Sequence, residues 1–207
     1  MNVFILSAGV QTRFPDNYFP KQLLEINNET ILSRQVRQLK EFNLVPFVVT
    51  KNSLIKSQSP LCINPKFNDS ILDTLSSTRD FWKDERIVIL LGDVFYSKQL
   101  FKNIMESTVP LKFWLTGSEI FALSFDKSQQ NTVLGALEFC IRNIWSGVKL
   151  WHLYRRLNGG VLETHVIYEN EMSSDIITDY SFDIDSLVQY NDVSNYINLI
   201  SQTNSDL

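Results

Sequence analysis

Cysteine and histidine are scarce in this chain, at two each among 207 residues. Cys62 and Cys140 form no CxxC and no Cys/His cluster, which removes the common zinc frameworks. Both are expected as reduced core thiols. His152 and His165 offer neither a zinc site nor an obvious general base. No apolar run is long enough to span a bilayer, so no membrane insertion is expected. Met1-Asn2-Val3 carries no basic segment, and Arg13 follows the first apolar run instead of preceding it. That is unlike a secretory signal, and the expectation is a cytoplasmic protein. Positive charge is also in deficit, with a formal net charge of -4. Binding to nucleic acid or to anionic membrane calls for a concentrated basic patch, and neither partner is expected. Internal repeats, low-complexity tracts and linkers are lacking too.

What remains is an ordinary globular composition, 44% hydrophobic and 20% charged, at a length suited to one domain over residues 1–207. Residues 3–8 (VFILSA) are apolar and β-prone, as a strand buried on both faces must be. Residues 9–20 carry glycine, two prolines and polar groups, and read as a loop. Leu32, Val36, Leu39 and Phe42 recur at helical spacing over residues 30–42, with Arg34, Arg37, Gln38 and Lys40 between them. Residues 45–50 make a second strand, completing a βαβ unit. A short strand at 61–63 follows, then a helix capped by Asp69 or Ser70 and running to about Trp82. The run RIVILL, residues 86–91, is the strongest strand and ends at Gly92-Asp93. A helix over 97–106, a strand pair at 111–115 and 119–125, and a helix over 129–144 come next. In that last helix Leu134, Leu137, Ile141 and Ile144 align. Residues 162–168 read as a strand. Ser186 and Gln189 match a capping box, opening a final helix with Tyr190, Val193, Ile197 and Ile200 as its buried stripe. Strands alternating with helices predict an α/β fold with a helix-flanked sheet. Ligands of such sheets sit at the carboxyl ends of strands, which singles out residues 9–21 and Gly92-Asp93.

The N-terminal segment reads Leu6-Ser7-Ala8-Gly9-Val10-Gln11-Thr12-Arg13, then Phe19-Pro20-Lys21-Gln22-Leu23. It resembles the signature loop LAAGxGTR…PKxL of the sugar-phosphate nucleotidyltransferase superfamily. Ile89-Leu90-Leu91-Gly92-Asp93-Val94 is similar to that family's metal-binding strand end, and Phe182-Asp183-Ile184-Asp185-Ser186 to its late DID(S/T) element. The three landmarks stand in the family order. The resemblance implies a single three-layer αβα domain with a mostly parallel, Rossmann-like mixed sheet, the GT-A-like nucleotidyltransferase fold. It also implies that Asp93 and Asp185 jointly hold Mg2+, with Asp183 as the fallback ligand. The nucleotide-binding set is then Leu6, Ala8, Gly9, Val10, Gln11, Thr12, Arg13 and Lys21, with Thr74 and Ser76 as candidates for the base.

Elementary chemistry agrees with that reading. A loop after a strand can aim backbone N–H groups at a triphosphate, and Gly9 permits close approach. Arg13 supplies a planar fork for phosphate oxygens and Lys21 a compact charge, so these two are the catalytic candidates. An aspartate closing an apolar strand, as Asp93 does, is costly unless it caps a helix or holds a cation. The expected reaction is nucleotidyl transfer from a nucleoside triphosphate to a phosphorylated small acceptor, such as a sugar 1-phosphate or phosphocholine. A phosphate monoester is already anionic, so the lack of a histidine base is no obstacle. Acceptor-binding elements are expected at about residues 110–180, where Trp145, Trp151 and Tyr154 either line a pocket or pack in the core.

Two other classes stay open on the sequence. One is a nucleotide-sugar-dependent glycosyltransferase, although Val94-Phe95 supply no second carboxylate after Asp93. The other is a catalytically degenerate nucleotide-binding module, which Gln11 keeps open by standing where the family has glycine. The identity of the nucleotide and the oligomeric state are not written in the residues.

Overall fold

The computed structural model describes residues 1–9, 19–59, 61–117, 119–144, 147–162 and 173–203, with side chains described up to 199. Strand β1 (Asn2–Leu6) is buried beyond its first residue, as expected for a strand covered on both faces. A hairpin follows, β2 (Glu25–Ile26) and β3 (Glu29–Thr30). Its tip is Asn27-Asn28, both at positive φ, the backbone that matches the twist of a two-residue hairpin and that Asn tolerates. Helix α1 (Ile31–Glu41) starts where Thr30 Oγ1 accepts from Ser33 N.

The alternation continues through β4 (Phe47–Val49), α2 (Ser53–Lys56), β5 (Cys62–Ile63), α3 (Ile71–Ser76), β6 (Arg86–Leu91), β7 (Val94–Phe95) and α4 (Lys98–Glu106). Beyond it come β8 (Leu111–Leu115), β9 (Ile120–Asp126), α5 (Gln130–Asn143), α6 (Leu150–Leu157), β10 (Ser174–Ile176), β11 (Phe182–Asp183) and α7 (Leu187–Thr203).

Seven strands form the main sheet in the order β10-β8-β9-β6-β1-β4-β5. Only β9 runs against its neighbours; the other pairings are parallel. The period of two sends alternate residues of β1 and β6 into separate cores. Phe4, Leu6, Ile87 and Ile89 pack with Leu72 and Leu75 of α3, Leu137 of α5 and Leu153 of α6. Val3, Ile5, Val88 and Leu90 pack with Leu32, Val36 and Leu39 of α1 and Ile104 of α4. Helices on both faces make three αβα layers around a mostly parallel mixed sheet, as the sequence predicted. Truncating one member of these cores, as in Leu90→Ala, costs about 2–5 kcal/mol. A third, smaller core joins Ile26, Ile31, Phe95, Ile184, Val193 and Ile197, and seats α7 beside the hairpin and β7.

Several expectations need correction. The helix expected to reach Trp82 ends at Ser76, and a separate single turn covers Arg79–Phe81. The hydroxyls of Ser77 and Thr78 donate back to the carbonyls of Asp73 and Leu75, competing with helix continuation. Cys62 is exposed, on the edge strand β5; Cys140 is buried as expected. Arg34 and Gln38, which stand between the apolar positions of α1, are buried too, since α1 is flanked by the third core as well as by the sheet. The buried face of α5 is Val133, Ala136, Leu137 and Cys140, one step around from the expected stripe. The strand expected over 162–168 falls largely on residues 163–172, outside the described residues.

Candidate active site

The site assembles where β1 and β6 end side by side. Their parallel register runs to Leu6 opposite Leu91, and Gly92 N donates to Leu6 O at 3.0 Å. A Cβ on Gly92 would lie 2.1 Å from Ser7 Oγ and 3.0 Å from Leu6 O, so only glycine lets the two strand ends approach this closely. The turn at Gly92-Asp93 thereby presents Asp93 beside the segment Ser7-Ala8-Gly9.

A second, small sheet supplies the other acids. β11 pairs antiparallel with β7, Phe182 opposite Phe95 and Asp183 opposite Val94, and Ile184 N donates to Asp93 O at 3.2 Å. Alternation along this extended segment turns Ile184 into the third core, fully buried, and puts Asp183 and Asp185 on the opposite side. Carboxylate oxygens of Asp93, Asp183 and Asp185 all lie within 4.8 Å of one another. The acid treated as the fallback ligand is thus a full member of the cluster.

Lys21 enters from the turn Lys21–Leu23, whose Leu23 N donates to Pro20 O at 2.7 Å. Its ammonium lies 2.5 Å from Asp93 Oδ2 and 2.9 Å from Asp185 Oδ1. Burial disfavours that charge, but the fields of Asp93 and Asp183 and the hydrogen bonds to Asp93 and Asp185 outweigh it, so the pKa of Lys21 rises above its ordinary value. Asp183 is the opposite case. Burial, then the neighbouring charge of Asp93, push it from an ordinary 3.8 up to about 8; Asp185 and Glu119 add to this and Lys21 opposes it. Asp183 Oδ1 is also buried without a hydrogen-bond partner among the described residues. Three converging carboxylates with an unsatisfied oxygen are the donor set a hard divalent cation takes, and Mg2+ fits these residues.

Residues that sequence reasoning passed over hold this arrangement in place. Gln35 of α1 donates to Leu91 O at 3.0 Å and to Val94 O at 2.8 Å, bracketing the Asp93 turn. Tyr96 accepts from Leu91 N at 3.0 Å and donates to Phe121 O at 2.5 Å; its complete burial pushes the phenol pKa well up. On the other side, Ser97 Oγ donates to Asp179 Oδ2, Ser181 N donates to Asp179 Oδ1 at 2.9 Å, and Ser97 N donates to Ser181 Oγ at 2.9 Å. This strut ties the segment before β11 to the start of α4. The expected capping box appears in altered form: Gln189 N donates to Ser186 Oγ at 3.3 Å, but Gln189 Oε1 accepts from the N–H of Asp185, one residue before the cap, at 2.9 Å.

The remaining sequence candidates divide. Leu6 and Ala8 are buried and Gly9 is exposed, all at the end of β1. Val10, Gln11, Thr12 and Arg13 lie outside the described residues, as does Trp145. Asn68 donates to Ala8 O at 3.3 Å and accepts from Lys51 Nζ at 2.8 Å, a tie to the loop that spacing did not reveal. Thr74 is buried and its hydroxyl donates to Ser70 O at 3.2 Å, whereas Ser76 is half-buried. Tyr154 is a core residue, edge-on to Phe113 with centroids 5.0 Å apart. Trp151 stacks on His152, whose Nδ1 accepts from Lys149 N at 2.9 Å as a helix cap. No helix among the described residues is long and apolar enough to cross a membrane.

No family model and no curated protein matches the chain in sequence. Solved structures do. The chain superposes on LicC, the CTP:phosphocholine cytidylyltransferase from Streptococcus pneumoniae, with a TM-score of 0.67 at 15% identity, covering 95% of this chain and 98% of that one. The inositol-1-phosphate CTP transferase from T. maritima gives a TM-score of 0.63 at 10% identity, covering 95% of each chain. HddC from Yersinia pseudotuberculosis, complexed with GMP-PN, gives 0.60 at 13% identity, covering 94% of this chain and 98% of that one. The fold of this chain is therefore the α/β fold that the cytidylyltransferase and the CTP transferase share.

Proposed function

We propose that the chain is a magnesium-dependent nucleotidyltransferase that moves a nucleoside monophosphate from a triphosphate to a phosphorylated small acceptor and releases pyrophosphate. The observation that carries this reading is the meeting of Asp93, Asp183 and Asp185 with Lys21 at the carboxyl ends of β1 and β6. The likeness to structures named for cytidylyl transfer to phosphocholine and to inositol 1-phosphate supports the same chemistry.

Asp93 and Asp185 hold the ion in this reading, with Asp183 beside them. Bound there, Mg2+ supplies charge neutralisation at the α-phosphate. The chain's own residues do the rest. Gly9 and the residues after it cradle the triphosphate through backbone N–H groups. Arg13 and Lys21 neutralise charge on the departing pyrophosphate. An acceptor phosphate oxygen forms the new bond to the α-phosphorus as the bond to the β-phosphate oxygen breaks in line. The anionic acceptor needs no side-chain base, so positioning and electrostatics carry the rate. Residues 1–207 act as one domain, with the acceptor recognised by elements from about 110–180. Triphosphate and magnesium supply suits a cytoplasmic enzyme.

A thermal-shift panel of CTP, UTP, GTP, ATP and TTP tests this reading, each with and without Mg2+. One triphosphate should raise the midpoint well above the others, and only with the metal. Asp93→Asn should abolish that rise. Equal, metal-independent shifts for all five would discard the proposal.

A further inference from the structure

The turn that carries Asp93 is tied to the rest of the molecule through its backbone. Gly92 N is taken by Leu6 O, Asp93 O by Ile184 N, and Leu91 N by the Tyr96 hydroxyl. The carbonyls on either flank, Leu91 O and Val94 O, both accept from one atom, Nε2 of Gln35. Gln35 is 1% exposed and sits on α1, outside the sheet. An amide NH2 is a fitting group here, because it carries two donors with fixed divergence and spans two acceptors at once. The two carbonyls lie one on each side of Gly92-Asp93, so their separation fixes how far the turn projects toward β11.

We infer that Gln35 is a positioning residue for the cation site: by clamping Leu91 O and Val94 O it sets the place of the Asp93 carboxylate relative to Asp183 and Asp185. The inference rests on the reading that Asp93 ligates a divalent ion. It goes beyond that reading by assigning control of ion affinity to a helix that carries none of the three carboxylates. Mg2+ demands near-ideal placement of its oxygen ligands, so a turn free to shift loses affinity even with every carboxylate retained. Groups acting through a ligand in this way typically account for about 10- to 100-fold in metal affinity.

The test is Mn2+ binding to the nucleotide-free protein, read by electron paramagnetic resonance, in four proteins. They are the wild type, Gln35→Met, Val36→Ala and Asp93→Asn. Gln35→Met keeps length and volume and removes both donors. Val36→Ala weakens the packing of the same helix against the sheet core and leaves the clamp intact. Gln35→Met should bind Mn2+ about 10-fold or more weakly, Val36→Ala as the wild type does, and Asp93→Asn barely at all. Wild-type affinity in Gln35→Met alongside loss in Asp93→Asn would overturn the clamp and keep the metal reading. Equal weakening in Gln35→Met and Val36→Ala would also overturn it, because a general loosening of α1 would then suffice. Wild-type affinity in Asp93→Asn would instead remove the metal reading itself. If Gln35→Met does not fold, Gln35→Asn, which keeps the amide but shortens its reach by one methylene, is held to the same criterion.

Discussion

Replacing Lys21 by methionine separates two roles that its position combines. The ammonium sits between Asp93 and Asp185 at 2.5 and 2.9 Å, and the three side chains are only 13%, 21% and 27% exposed. Removing one partner of a buried ion pair costs about 3–5 kcal/mol. The lower end applies here, because all three side chains keep some contact with solvent, which screens the carboxylates left behind. For a chain of this size about 3 kcal/mol corresponds to a fall of about 6–12 °C in the midpoint. That fall should appear in EDTA. It should shrink in Mg2+, since the ion then meets carboxylates that no longer hold an ammonium. Ion affinity of the nucleotide-free protein should rise about tenfold, an added stabilisation of about 1.4 kcal/mol at saturation. Turnover should move the other way, down by about 100-fold or more, as befits loss of a charge that faces the transition state. The assays are thermal unfolding with EDTA and with Mg2+, followed by pyrophosphate release. A variant that unfolds like the wild type in EDTA, gains nothing extra from Mg2+, and turns over normally would refute the reasoning.

Asp183 predicts a pH dependence whose sign follows from its pKa. The folded value of about 8 lies above the ordinary 3.8 of the unfolded chain, so between these values the folded protein binds the extra proton. Its contribution to stability is full below about pH 4 and is lost as pH rises toward about 8, in metal-free protein. Urea unfolding in EDTA should show Asp183→Asn gaining on the wild type across that window; a constant difference would contradict the assignment. Gly92→Ala should cost about 1–3 kcal/mol and lower turnover, since its Cβ meets Leu6 O at 3.0 Å, and a crystal structure should show the Asp93 turn displaced. Asp179→Ala releases the strut to Ser97 and Ser181, and should weaken Mn2+ binding while the main sheet stays folded by circular dichroism.

The main sheet was legible because its central strands are continuous apolar runs. VFIL and RIVILL are buried on both faces, and no helical period competes there. The two halves of the site were legible for different reasons. Asp93 closes such a strand and Lys21 ends the loop that follows the other, in a Pro-Lys pair that carries the resemblance, whereas Asp185 was found by resemblance and by its place before a helix cap. What the sequence concealed is how the halves meet. The β7–β11 pair has two residues in each strand, and its partners are far apart in the chain, so no local period announces it. Gln35 was hidden because a polar residue on an amphipathic helix is read as solvated. Here the third core covers that side of α1, and the amide is needed for backbone carbonyls. Thr74, whose polarity suggested base recognition, is buried, and its hydroxyl donates to Ser70 O within α3.

The most direct test of nucleotidyl transfer is product stoichiometry with the triphosphate selected by thermal shift and a panel of phosphorylated acceptors. One pyrophosphate should appear for each acceptor consumed, with the nucleoside monophosphate joined to the acceptor phosphate and no product when either substrate is omitted. Release of a nucleoside diphosphate from a nucleotide sugar, or binding of triphosphate and metal without turnover on any acceptor, would contradict the account.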